Sequence, residues 1–168
     1  HKIEVARYRT GEMQVISGAM GKEKIHYEAV VPQLVKTEMD KFLRWFNDTD
    51  KTDLVIKAAI AHFWFIIVHP FDDGNGRIAR AISDLLLARS EKSAERFYSM
   101  SSQILVERKR YYEALQNVQH SSGDITEWLD WFLHCQKNAL LETEETLEKI
   151  LRKAEFWKIH ENTPFNER

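Results

Sequence analysis

Apolar residues recur at three- and four-residue steps along most of the chain and alternate over only one short stretch. From residue 32, Leu34, Val35, Met39, Phe42, Leu43 and Phe46 follow those steps and predict one amphipathic helix. Pro32 suits its first turn, and Asn47-Asp48-Thr49-Asp50 breaks it. Thr52 or Asp53 can cap the next helix, which runs through Leu54, Ala58, Ala61, Phe65 and Val68. From residue 58 apolar side chains occupy nearly every face, as in a central helix surrounded by others. His69 ends it, because the residue before Pro70 is pushed out of the helical region.

A polar, glycine-bearing loop follows. A second buried helix then starts near Gly76 and carries Ile78, Ala81, Ile82, Leu85, Leu86 and Leu87. After a break at 90–93, Ser101 or Ser102 can cap a helix through Ile104, Leu105, Tyr111, Leu115 and Val118. Ser121-Ser122-Gly123-Asp124 stops that helix. The last spans about 126–154, with Trp128, Phe132, Cys135, Ala139, Thr146 and Ile150 on one stripe and an acidic, solvated face at 142–148. Residues 10–24 hold three glycines and read as loop, whereas 24–31 alternate and predict a short strand or hairpin arm. The predicted fold is all-α with a small β-hairpin.

Composition narrows the class. A chain of 168 residues, 43% hydrophobic and 30% charged, is one domain with a core, neither disordered nor collagen-like. Lys and Arg total 24 against 26 for Asp and Glu, a net charge of −2, so no pull toward nucleic acid or an anionic membrane is expected. The apolar run 58–68 is interrupted by His62 and falls short of the roughly 18 residues of a membrane span. Cys135 is the single cysteine, so no internal disulfide forms and a reducing, cytoplasmic setting is expected. The first residue is His1, which suggests a piece of a longer protein. Only six glycines and three prolines occur, yet Pro70, Gly74 and Gly76 crowd into eight positions.

That cluster carries the chemistry. His69-Pro70-Phe71-Asp72-Asp73-Gly74-Asn75-Gly76-Arg77-Ile78-Ala79-Arg80 reads as a buried helix, a sharp stop, a flexible loop and a new helix. Gly74 and Gly76 let successive N–H groups turn into one space, and the helix start adds its unpaired N–H groups and positive dipole end. Arg77 and Arg80, three apart, can face that space together and complete a polyphosphate site. Asp73 would be repelled there unless a cation intervenes, and one carboxylate plus phosphate oxygens is a usual Mg²⁺ arrangement. His69, with an ordinary pKa near 6.5, suits proton removal from a hydroxyl. His62 precedes it by seven residues, but no third ligand has matching spacing, so a packed core histidine is preferred to a metal site.

The stretch resembles the Fic signature, His-Pro-Phe-x-Asp/Glu-Gly-Asn-Gly-Arg-x-x-Arg, at every specified position. Tyr8-Arg9-Thr10-Gly11 resembles the lead-in of that family, and Ile25-His26-Tyr27-Glu28-Ala29 its target-binding flap, placed at about 22–31. Tyr111-Tyr112-Glu113-Ala114-Leu115 is similar to the helix bordering the adenine pocket. The resemblance implies a Fic domain over 1–155 that transfers AMP from ATP to a Ser, Thr or Tyr hydroxyl of a target protein. It implies His69 as general base and Asp73 on Mg²⁺. Gly74, Asn75 and Gly76 would form an anion hole, with the Asn75 amide on the α-phosphate and Arg77 and Arg80 on the outer phosphates. Tyr111, Tyr112 and Gln119 either border the nucleotide or serve as core and a polar helix end. Asp72 has no role.

Residues 156–168 resemble the lead to a winged-helix module of some bacterial members. Many Fic proteins are held off by a Ser/Thr-x-x-x-Glu-Gly/Asn helix whose glutamate meets the second signature arginine, here Arg80. Only Glu167 follows a Thr or Ser by four, and Pro164 and Arg168 spoil the match. The inhibitory helix or antitoxin is therefore expected from outside this chain, and a homodimer is a further option. Rival readings are phosphoryl or phosphocholine transfer, AMP removal, a nucleotide-binding regulatory module, and a plain helical interaction domain.

Overall fold

A computed structural model describes residues 7–17, 24–49, 51–93, 95–119, 121 and 123–161, with backbone alone for 15–17 and 24–26. Gly18, Gly21, the first positions of the expected flap, the side chains of Ile25 and His26, and tail residues 162–168 lie outside the described residues. Strands β1 (Gln14–Ser17) and β2 (Lys24–Glu28) pair antiparallel, from Gln14 opposite Glu28 to Ser17 opposite Lys24, with an irregularity at Val15/Ile16. Six helices follow among the described residues: α1 (Pro32–Asn47), α2 (Leu54–Val68), α3 (Asn75–Glu91), α4 (Met100–Val106), α5 (Arg108–Gln119) and α6 (Thr126–Ile159).

The central position of α2 follows from its composition. It packs against α1, α3 and α6, and buries Ala58, Ala59, Ala61, Phe65, Ile66 and Val68 on several faces. Asp53 is the cap: its carboxylate accepts from the N–H groups of Val55 at 2.9 Å and Ile56 at 3.3 Å. Trp128 and Phe132 of α6 close the core from the other side, and the Trp128 indole N–H donates to the Ala59 carbonyl at 2.8 Å. β2 lies against α5, and its Tyr27 meets His69, so the hairpin is joined to the helical body beside the α2–α3 loop.

Four expectations change, the first being that residues 14–17, read as loop, form β1, the second arm of the hairpin. The helix placed after residue 101 begins earlier, at Met100, with Ser99 as its cap, and it is two helices broken at Glu107. The Glu107 carboxylate accepts from Gln103 at 2.6 Å and from Asn138 of α6 at 2.9 Å, which ties the break to α6. Ile104 and Tyr111 keep helical phase across it, so the pattern conceals the interruption. α6 runs on to Ile159, past the helix end expected at about 154. Its stripe is buried only as far as Ala139; Thr146 and Ile150 are exposed, because no described element covers that length of the helix.

Candidate active site

The end of α2 is built around a proline. Residue 70 would ordinarily donate its N–H to the Ile66 carbonyl, and Pro70 has none. Every carbonyl of that last turn finds another partner. Phe65 accepts from the His69 N–H at 3.0 Å, Ile66 is 3.2 Å from His69 Nδ1, and Ile67 accepts from the Val30 N–H at 3.2 Å. Arg9 takes the remainder: its guanidinium donates to Val68 at 3.1 Å, to His69 at 2.6 Å, to Gly11 at 2.8 Å and to Val30. Its backbone N–H also donates to Pro70 O at 2.8 Å. Arg9 is 3% exposed, a buried cation satisfied by carbonyl groups of the lead-in, the flap exit and α2. The lead-in resemblance pointed to Arg9 without giving it a task.

These contacts hold His69 in an unusual backbone state. Its φ and ψ are 47° and 59°, left-handed for a residue with a side chain, and such outliers gather at functional sites. Its ring is largely buried, and burial is the main cause lowering its pKa below the ordinary value, with the Ile66 carbonyl opposing and Arg9 adding to the fall. The imidazole is therefore neutral at pH 7, as a proton acceptor must be. A carbonyl can only accept, so Ile66 places the ring proton on Nδ1 and leaves Nε2 free. Tyr27 Oη lies 2.9 Å from the same Nδ1.

The loop after Pro70 is held by Asn75. Its side chain accepts from the Phe71 N–H at 3.0 Å and donates to the Phe71 carbonyl at 2.6 Å, while the residue is 2% exposed. The side-chain amide is thus committed to the loop, and only the backbone N–H of Asn75 can meet an anion. Gly74 precedes the helix with φ 86°, which glycine adopts without strain, and no side chain caps α3. The first helical bond runs from Ile78 N–H to Gly74 O, so the N–H groups of Asn75, Gly76 and Arg77 stand ahead of it at an open helix end. A Cβ on Gly74 would meet Arg77 Nη2 at 3.6 Å, and one on Gly76 would meet Arg80 Nη1 at 3.6 Å. Both guanidiniums therefore fold back over this end, as their spacing suggests.

Asp73 lies at the rim. Its carboxylate accepts from the Gly74 N–H at 2.6 Å and pairs with Arg77 at 3.0 Å, with the side chain 62% exposed. No group of three or more His, Cys, Asp or Glu gathers as a metal site among the described residues. One accessible carboxylate beside an uncapped helix N-terminus would fit Mg²⁺ held mainly by phosphate and water.

The residues expected around adenine divide. Tyr111 is buried against His62, Trp128 and Trp131, and its hydroxyl is 3.3 Å from His62 Nε2, so it is a core residue in this structure. His62 is equally enclosed, with Nδ1 3.3 Å from the Ser83 hydroxyl. Burial, with the Arg80 cation second, pushes its pKa down to about 3, so it is a neutral core histidine. Tyr112 is half-buried beside Arg108. Gln119 turns to the flap: its amide accepts from the Glu28 N–H at 3.2 Å and donates to the Glu28 carbonyl at 2.6 Å. Glu28 itself is exposed and Ala29 half-buried.

Comparison with known proteins agrees with this fold. Protein adenylyltransferase fic-1 of Caenorhabditis briggsae is 37% identical over 90 residues, 52% of this chain and 16% of that protein. Protein adenylyltransferase Fic of Nematostella vectensis is 27% identical over 168 residues, 97% of this chain and 33% of that one. The chain thus spans a third or less of these relatives. The crystal structure of a Fic family protein from Desulfovibrio desulfuricans G20 superimposes with a TM-score of 0.71 at 26% identity, covering 85% of this chain and 42% of that one. Residues 1–87 match the Fic/DOC family, a span that contains the whole loop from His69 to Arg80, and the chain belongs to that family.

Proposed function

We propose that this domain transfers AMP from ATP to a Ser, Thr or Tyr hydroxyl of a target protein. The observation that carries this reading is the uncapped N-terminus of α3, overlaid by Arg77 and Arg80 and joined to His69 by the short loop 70–74. His69 Nε2 takes the proton of the target hydroxyl, whose oxygen attacks the α-phosphorus. The bond from that phosphorus to the bridging oxygen breaks, and pyrophosphate leaves with the electron pair. The N–H groups of Asn75, Gly76 and Arg77 face the oxygens on which negative charge develops. Arg77 and Arg80 hold the outer phosphates, and Gly74 lets the loop approach them closely.

Asp73 would hold Mg²⁺, which supplies charge neutralisation on the phosphate chain. Tyr112 is the member of the tyrosine pair suited to line the nucleotide, and strand addition to β2 suits an extended target segment. An inhibitory glutamate from outside this chain would act by engaging Arg80. A reducing, cytoplasmic setting accords with Cys135, an unpaired buried thiol whose pKa burial pushes up to about 12. Incubation with ATP labelled at the α or the γ position tests the reaction: label entering protein from the α position alone supports AMP transfer, and from the γ position alone refutes it.

A further inference from the structure

One contact of the site joins the flap directly to the base. Tyr27 of β2 is 3% exposed, and its hydroxyl oxygen stands 2.9 Å from His69 Nδ1, while the Ile66 carbonyl stands 3.2 Å from the same atom. The carbonyl fixes the donor as Nδ1–H, so the phenol oxygen takes the second share of a three-centre bond. The alternative, in which the tyrosine donates to Nδ1, would put the ring proton on Nε2 and remove its ability to accept another. The next residue of β2, Glu28, is gripped on both backbone groups by Gln119 of α5. The strand that carries Tyr27 is thereby seated on the helical body.

We propose that Tyr27 is a positioning residue for His69: its hydroxyl accepts from the Nδ1–H that the Ile66 carbonyl fixes and so holds the orientation of the imidazole, and this alignment depends on the seating of β2. The inference rests on the reading of His69 as the base. A neutral acceptor at Nδ1 stabilises the imidazolium that forms when Nε2 takes the target proton. Target docking on the flap and alignment of the base would then be one event. The titratable groups facing this ring are Arg9 of the lead-in and Tyr27 of β2; α2 contributes the Ile66 carbonyl, and Asp72 acts on Arg9.

Nitrogen-15 NMR of the histidine rings tests this in wild type and Tyr27→Phe, alongside transfer of α-labelled AMP to the protein itself or to lysate protein. Tyr27→Phe keeps the ring and removes only the hydroxyl. It should move the His69 titration to lower pH while the Ile66 carbonyl keeps the Nδ1–H tautomer. It should lower the transfer rate by about 10- to 100-fold, the worth of a hydrogen bond to a charged group, with KM for ATP little changed. An unchanged His69 titration in Tyr27→Phe overturns the proposal, even if transfer falls. A shifted titration in a protein whose wild type transfers no AMP leaves the positioning in place and refutes the functional reading instead.

Discussion

Arg9 Nε donates to the His69 carbonyl at 2.6 Å, across sixty residues of sequence, and so fastens the lead-in to the residue that ends α2. The same guanidinium also serves Val68, Gly11 and Val30. A lysine ammonium is a point donor and cannot span this fork of carbonyls. Arg9→Lys should therefore destabilise the domain by about 2–4 kcal/mol, since buried carbonyls are left unpaired. Urea unfolding midpoints at pH 7 measure this; a change within about 0.5 kcal/mol would show that Arg9 is dispensable to the site.

Gln119 and Glu28 form the second long-range tie. If Gln119 serves the flap rather than the nucleotide, Gln119→Met should speed amide hydrogen exchange in β2 while KM for ATP moves less than about twofold. A tenfold rise in KM with unchanged exchange would return Gln119 to the nucleotide.

His62 predicts a pH dependence of stability. Its folded-state pKa of about 3 lies below the ordinary 6.5, so the unfolded chain binds the proton first. Stability is full above about pH 6.5 and is lost as pH falls toward 3, by up to about 1.4 kcal/mol per pH unit from this one proton. His69, also lowered, adds a loss of the same sign. Unfolding free energies at pH 7, 6, 5 and 4 should fall accordingly, and His62→Gln should remove one proton from the slope. An identical slope in that variant would contradict the assignment.

Asp73 is exposed, and its pair with Arg77 is a surface ion pair of small energetic worth. Asp73→Asn should leave the unfolding midpoint within about 0.5 kcal/mol of wild type yet remove nearly all transfer at millimolar Mg²⁺. Full activity with Mg²⁺ in that variant would remove Asp73 from the phosphate site.

The sequence was most informative where chemistry requires fixed offsets within one segment. His69, Asp73, Gly74, Asn75, Gly76, Arg77 and Arg80 fall on a single helix–loop–helix passage, and their spacing alone describes an anion site beside a base. Helix positions were legible for the same local reason, with Asp53 one of the two caps read for α2. The pairs Arg9–His69, Tyr27–His69 and Glu28–Gln119 were not, because each joins segments at least 42 residues apart and no periodicity records such a meeting. Tyr111 and Gln119 both lie on α5, yet the first faces the core and the second the flap. The break at Glu107 was hidden because the apolar phase continues through it.

The central claim is that His69 removes the proton from the hydroxyl that receives AMP. Its most direct test is the rate of label transfer from α-labelled ATP to protein by wild type and His69→Ala, with ATP binding measured in parallel. A general base typically supplies about 10²–10⁴-fold. The variant should lose at least a hundredfold in transfer while binding ATP within about threefold of wild type. Transfer by His69→Ala at the wild-type rate would contradict the account.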